Sequence, residues 1–273
     1  MEEPARRPAP VTVVSEAAQF AQPEALYRAV REREGRFFTD ADVARLPHVP
    51  PGHPQAAEWQ IRRQSADRLL GYLSRLGRPQ RLLDLGCGNG WLANALACAG
   101  HTVYAVDLNH HELTQGARVF GAHPRLQFLY ADVFEARLPL SLLLGSPLGS
   151  APAKLDGVII AAAVQYFPNV RALIERLFEL LEPGGQIHLL DSPFYTPATV
   201  TAARARTQAY YEQLGFPAML PFYHHHLSGA LSTFNPVLCL PEKTSRLGRW
   251  FRFWLDRWRR RATPFPWYVI TKP

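Results

Sequence analysis

The sequence predicts an α/β protein: a doubly wound, largely parallel sheet with helices on both faces. Three observations support this. Short apolar runs of strand length alternate with longer stretches of helical pattern. One such run, Arg81-Leu82-Leu83-Asp84-Leu85, leads directly into Gly86, Gly88 and Gly90, with a helix opening at Trp91-Leu92-Ala93. Two further runs, ending at Asp107 and Asp132, each close on a carboxylate.

Along the chain, residues 1–14 form a Pro/Ala/Arg-rich segment expected to be a disordered tail. Residues 15–77 read as a helical N-terminal extension, broken by the proline-rich Leu46–Pro54, with Glu58 to Leu76 as the helix entering the first core strand. The remaining 78–273 make the main domain. Its first three strands come from the runs already named, at 81–85, 101–107 and 126–132. Leu155-Asp156-Gly157-Val158-Ile159-Ile160-Ala161 is a buried fourth strand, preceded by a loop insertion at 138–153. Leu181-Glu182-Pro183-Gly184-Gly185 ends a helix and turns into a fifth strand through Leu190. Ala198 to Leu214 has helical composition and stops at Gly215-Phe216-Pro217, a C-terminal glycine followed by proline. Val237–Leu240 and Trp267–Thr271 read as short strands of a closing antiparallel hairpin.

A strand, a glycine-rich turn and a helix N-terminus together form a cradle for a nucleotide-like ligand, because glycine allows positive φ and the helix end presents free N–H groups. Asp84 bears on which ligand. A dinucleotide would bring two negative phosphates to a turn that already holds a carboxylate, whereas an ammonium and a sulfonium would be attracted to it. The spacing is G-x-G-x-G, not the dinucleotide G-x-G-x-x-G.

With those residues the chain resembles the class I S-adenosylmethionine-dependent methyltransferases, whose first motif is an acid followed by G-x-G-x-G. The resemblance covers about Arg78 to Tyr195. It implies a Rossmann-like seven-stranded sheet and S-adenosylmethionine as cofactor, held by Asp84, Gly86, Cys87, Gly88, Asp107, Leu108, Asp132, Val133 and Ala161. In that scheme Asp107 accepts from the ribose hydroxyls and Asp132 from the adenine amino group. It also implies that 15–77 lies over the cofactor cleft as a lid; the plain alternative is a packed helical extension. Each acid has an ordinary reading too: Asp84 as a strand-end acid, Asp107 as a helix N-cap, Asp132 as a turn former. Cys87 reads as a small loop residue, with no basic neighbour to activate it.

The positive charge of the chain, +7 overall, is concentrated in Arg246–Arg261, where seven arginines and one aspartate give +6. Leu247, Trp250, Phe251, Trp254, Leu255 and Trp258 share one face at helical spacing, with the arginines mostly on the other. The segment is expected to be an amphipathic helix. It suits an anionic membrane surface, a lid over an apolar substrate, or packing on the domain's own core with a solvated basic face.

On the acceptor side, Val164-Gln165-Tyr166-Phe167 follows the fourth strand, where the family places residues near the transferred methyl. Gln165, Tyr166, His224 and His225 are therefore the candidate acceptor-side residues. A histidine there would serve as base for a hydroxyl acceptor. Neither an Asn-Pro-Pro-Tyr nor a Pro-Cys motif is present, which weighs against the familiar nucleic-acid methylations. Three cysteines without C-x-x-C spacing form neither a disulfide framework nor a zinc site, and three consecutive histidines do not converge on one metal, so no metal is expected. The N-terminus lacks a signal-like apolar core, and the expected location is cytoplasmic, with a peripheral membrane contact through 246–261. The reading is a methyltransferase acting on a small molecule with apolar or lipid-like character. Alternatives are an RNA or protein methyltransferase guided by the basic segment, or a non-catalytic cofactor-binding module at a membrane surface.

Overall fold

A computed structural model describes residues 10–135, 154–239 and 266–273. The basic aromatic segment 246–261 and the 138–153 insertion lie outside the described residues.

Five parallel strands make the centre of the sheet: β2 (Arg81–Leu85), β3 (Thr102–Asp107), β4 (Leu126–Tyr130), β5 (Leu155–Ala161) and β6 (Leu181–Leu190). With β1 (Thr12–Val13), β7 (Val237–Leu238) and β8 (Tyr268–Thr271), the spatial order is β1-β4-β3-β2-β5-β6-β8-β7. The chain steps outward from β2 through β3 to β4, then crosses back to place β5 on the other side of β2. That reversal opens a crevice above the carboxyl ends of β2 and β5, the place where open α/β sheets bind ligands.

The strands are buried on both faces, as parallel strands covered by helices must be. Alternation sends Leu82, Val103 and Ala105 into one apolar layer, and Leu83, Leu85, Tyr104 and Val106 into the other. The first layer includes α3 (Ala56–Ser74), α4 (Trp91–Cys98) and α5 (His110–Phe120), through Leu69, Leu96 and Leu113. The second includes α6 (Val170–Leu180), whose Val170, Leu173, Ile174 and Leu177 recur at one helical face and are buried.

Two expectations change. The sheet has eight strands rather than seven, because Thr12 and Val13 pair in parallel with Leu129 and Tyr130 of β4. The segment 1–14 is therefore not wholly a disordered tail: the β-branched run Val11–Val14 suits an edge strand, and the buried Ser15 then accepts from the Asp132 amide at 2.8 Å. The closing hairpin forms as expected, with β8 antiparallel to both β6 and β7. The helix expected over 198–214 spans α7 (Pro197–Leu214) and ends on Gly215 at φ 88°.

Part of the extension lines the crevice, through Tyr27, Arg31, Phe38, Trp59 and Arg62. After α1 (Ala21–Arg33) and the short α2 (Asp40–Val43), α3 returns along the sheet. Glu24 accepts from the His110 amide at 2.9 Å, Gln115 donates to the Phe38 carbonyl at 2.7 Å, and Arg118 makes a two-toothed contact with Asp40 at 2.8 and 2.9 Å. These contacts tie the extension to α5, the helix that flanks the crevice.

Candidate active site

The crevice is a cavity of about 810 Å³, within the range of about 300–1,000 Å³ usual for small-molecule sites. All nine residues expected to hold the cofactor line it: Asp84, Gly86, Cys87, Gly88, Asp107, Leu108, Asp132, Val133 and Ala161. They come from the carboxyl ends of β2, β3, β4 and β5, so the parallel register alone brings them together.

The glycine turn is shaped by its neighbours. A Cβ on Gly86 would sit 2.5 Å from that of Ala163, beyond β5, and one on Gly90 would meet the Phe128 ring at 2.5 Å. Both residues have φ above 70°, so no other residue fits without strain. The turn is latched by Asp107, whose Oδ2 accepts from the Gly88 amide at 2.7 Å and Oδ1 from the Asn109 amide at 2.8 Å. Asn109, rather than Asp107, is the N-cap of α5, with its side chain accepting from the Glu112 amide at 3.1 Å.

Three buried carboxyl groups, Asp84, Asp107 and Glu112, gather at this end of the sheet. Asp84 is 2% exposed, and its Oδ2 has no hydrogen-bond partner among the described residues. Burial, with Asp107 adding repulsion, pushes its carboxyl up to about 7, against one backbone hydrogen bond from Ala93. Burial also raises Asp107, which the Gly88, Asn109 and Leu108 amides partly offset, and lifts Glu112 to about 7 despite Arg31. A buried carboxylate oxygen with no donor calls for a cationic ligand.

The other half of the cavity is aromatic and aliphatic: Tyr27, Tyr166, Phe167, Met219 and Phe222 line it. Tyr166 packs edge-on between Tyr27, at 5.5 Å, and Tyr223, at 6.0 Å. Of the four acceptor-side candidates, only Tyr166 lines the cavity; Gln165, His224 and His225 do not. Their groups are engaged elsewhere. The Gln165 side-chain amide donates to the Ala162 carbonyl at 2.7 Å, and the Gln165 backbone carbonyl accepts from the His224 amide at 2.7 Å. His225 Nε2 meets the Thr207 hydroxyl at 2.9 Å, and the neighbouring His226 Nε2 meets the Val164 carbonyl at 3.1 Å. The histidine run thus fastens the segment carrying Met219 and Phe222 to the turn after β5.

In the sequence Glu58, Trp59, Arg62 and Arg63 of the entering helix suit substrate contact as well as surface or packing roles; Trp59 and Arg62 line the cavity, as do Arg31, Arg36, Glu112 and Asp191, which the sequence did not single out. Glu112 had a local signal, since Asn109-x-x-Glu112 has capping-box spacing. The arginines and Asp191 had none.

A family model for a methyltransferase domain matches residues 58–235, more than half of the chain. The chain belongs to that family. An uncharacterized methyltransferase of Mycobacterium tuberculosis is 33% identical over 132 residues, 48% of this chain and 59% of the relative. The ubiquinone biosynthesis O-methyltransferase of Xylella fastidiosa is 34% identical over 107 residues, 39% of each chain. The chain therefore matches only part of the length of these relatives. The crystal structure of magnesium protoporphyrin IX methyltransferase from Synechocystis PCC 6803 with bound S-adenosylhomocysteine superposes with a TM-score of 0.53 at 16% identity, covering 92% of this chain and all of that one. It shares the fold. S-adenosylmethionine is the cofactor of this methyltransferase family, and the sheet order is that of its Rossmann-like domain.

Proposed function

We propose that the protein transfers a methyl group from S-adenosylmethionine to a small-molecule acceptor with a substantial apolar body. The observation that carries this reading is the lining of one cavity both by carboxyl groups at the strand ends, with the unpaired Asp84 Oδ2, and by aromatic and aliphatic side chains. The residues fit the cofactor: Asp84 matches a group bearing ammonium and sulfonium charge, and the Gly86–Gly88 turn leaves its backbone open to the cavity. Asp107 offers its carboxylate to the ribose hydroxyls, Asp132 its carboxylate to the adenine amino group, and Leu108 and Val133 apolar contact to the adenine. When bound, the cofactor supplies an electrophilic methyl group.

The protein's own contribution is then alignment and dryness. Tyr27 and Tyr166, with Phe167, Met219 and Phe222, fix the acceptor's body beside Ala161–Ala163 and keep water out, which favours a displacement that disperses positive charge. The extension acts as the lid over this cavity, held by Glu24, Phe38 and Asp40 on α5. Among the described residues no helix is long and apolar enough to cross a membrane. The basic segment 246–261 we assign to an anionic membrane surface, on its charge and its single aromatic face.

Calorimetric titration tests the cofactor assignment. S-adenosylmethionine and S-adenosylhomocysteine should bind the wild type, and a nicotinamide dinucleotide binding more tightly than either would overturn the reading.

A further inference from the structure

Five side chains from the N-terminal extension alternate in sign across the roof of the cavity. Arg31 contacts Glu34 at 3.2 Å, Glu34 contacts Arg36 at 2.9 Å, and Glu58 contacts both Arg36 and Arg62 at 2.7 Å. Along the row three guanidinium groups meet two carboxylates, and Glu112 on α5 also acts on Arg31 across the cavity. The arrangement is also directional. All three arginines line the cavity, whereas Glu34 and Glu58 do not; the carboxylates brace the guanidinium groups from behind. Glu112 and Asp191 line the cavity too, but neither is in ion-pair contact with an arginine among the described residues.

Arg31 stands closest to the aromatic half. Its guanidinium donates to the Tyr27 hydroxyl at 2.6 Å and lies 4.7 Å from the Tyr27 ring centroid, and Tyr27 packs on Tyr166. Its side chain is 20% exposed, enough for contact with a ligand and little enough for such a contact to be shielded from water. Of five guanidinium N–H groups, those bound to Tyr27 and Glu34 leave others for a planar acid. Arg62 lies 5.0 Å over the ring of Trp59, which packs edge-on against Trp91 at the end of the glycine turn.

Building on the function proposed above, we infer that the acceptor carries a carboxylate on its apolar body, and that Arg31 is the residue that selects it. The acid sits at the arginine row while the apolar body fills the space beside Tyr27, Tyr166 and Phe222. The cofactor has a carboxylate of its own, and one guanidinium can satisfy it; the test has to separate the two sources.

The experiment is calorimetric titration of the full-length protein saturated with S-adenosylhomocysteine, using 2-naphthoate and decanoate, each against its uncharged alcohol. Each carboxylate should bind at least about tenfold more tightly than its alcohol, as a charge-assisted contact in a partly dry site would give. In Arg31→Met the difference should vanish, and Arg31→Lys should restore part of it. Equal binding of acid and alcohol in the wild type, or binding of neither, overturns the inference, as does a preference that survives in Arg31→Met. The cofactor arm is read in the same proteins, with S-adenosylhomocysteine compared against 5′-methylthioadenosine, which lacks the carboxylate. If Arg31→Met weakens only the former, Arg31 belongs to the cofactor and the acceptor inference falls. If the wild type binds neither, it is the methyltransfer reading that fails. Retained nucleoside binding in each variant shows that it has folded.

Discussion

Asp84→Asn should make the ligand-free protein more stable at alkaline pH while weakening its hold on the cofactor. In the fold the Asp84 carboxyl is raised to about 7, from an ordinary value of 3.8. A group with a raised folded pKa holds its proton in the folded state after the unfolded chain has lost it. Its contribution therefore falls as pH rises through the interval between the two values, and the full penalty applies above about 7. At about 1.36 kcal/mol per pH unit, that interval corresponds to about 4 kcal/mol. Asparagine keeps the shape and removes the titration, at a constant cost of about 1–3 kcal/mol for an amide in place of the unpaired oxygen. Between about pH 4.5 and pH 8 the stability difference should thus move by about 3 kcal/mol in favour of the variant, whatever that constant cost is. Urea unfolding of the two ligand-free proteins at both pH values measures it. A cationic ligand should also expel the Asp84 proton. In the wild type near neutral pH, cofactor binding should release a proton, visible as a heat that depends on the ionisation enthalpy of the buffer, and the variant should lose that component together with about tenfold or more in affinity. Parallel pH dependence of stability in the two proteins, or undiminished cofactor binding by the variant, would refute the reasoning.

Asp107→Ala removes both the acceptor expected for the ribose and the latch on the Gly88 amide, and should weaken S-adenosylhomocysteine binding by about 1–3 kcal/mol in calorimetry; unchanged affinity would count against its role. Gly116→Ala places a Cβ 2.3 Å from the Asn89 carbonyl oxygen and 2.7 Å from the Phe128 ring, so α5 cannot stay against the glycine turn, and a fall of about 1–3 kcal/mol in unfolding free energy is expected. Replacing Trp250, Trp254 and Trp258 by Ala should abolish sedimentation with anionic vesicles that falls as salt rises; a wild type that ignores vesicles of every composition ends the membrane assignment.

Much of the cofactor half was legible in the chain because it is local chemistry repeated at strand ends. Asp84, Asp107 and Asp132 each end an apolar run, and a parallel sheet puts every such end on one edge. The glycine spacing and the charge of Asp84 separated two cofactor classes from a handful of adjacent residues. The sequence by itself thus determined the order of the central strands and their helices, the nine strand-end residues that line the crevice and the family. Side-chain direction and distant partners were decided only in three dimensions. His224 and His225 have the chemistry of an acceptor-side base, but neither lines the cavity, and the His225 ring is held on Thr207. Arg31 on α1, Arg36 in the loop that follows it and Arg62 on α3 are far apart in the chain and meet at the crevice only when the extension packs there and Glu34 and Glu58 pair with them. Thr12 and Val13 become a strand only because β4 offers a free edge. An acceptor pocket is assembled from elements far apart in the chain, so its residues share no period or spacing, and their convergence is a property of the packing.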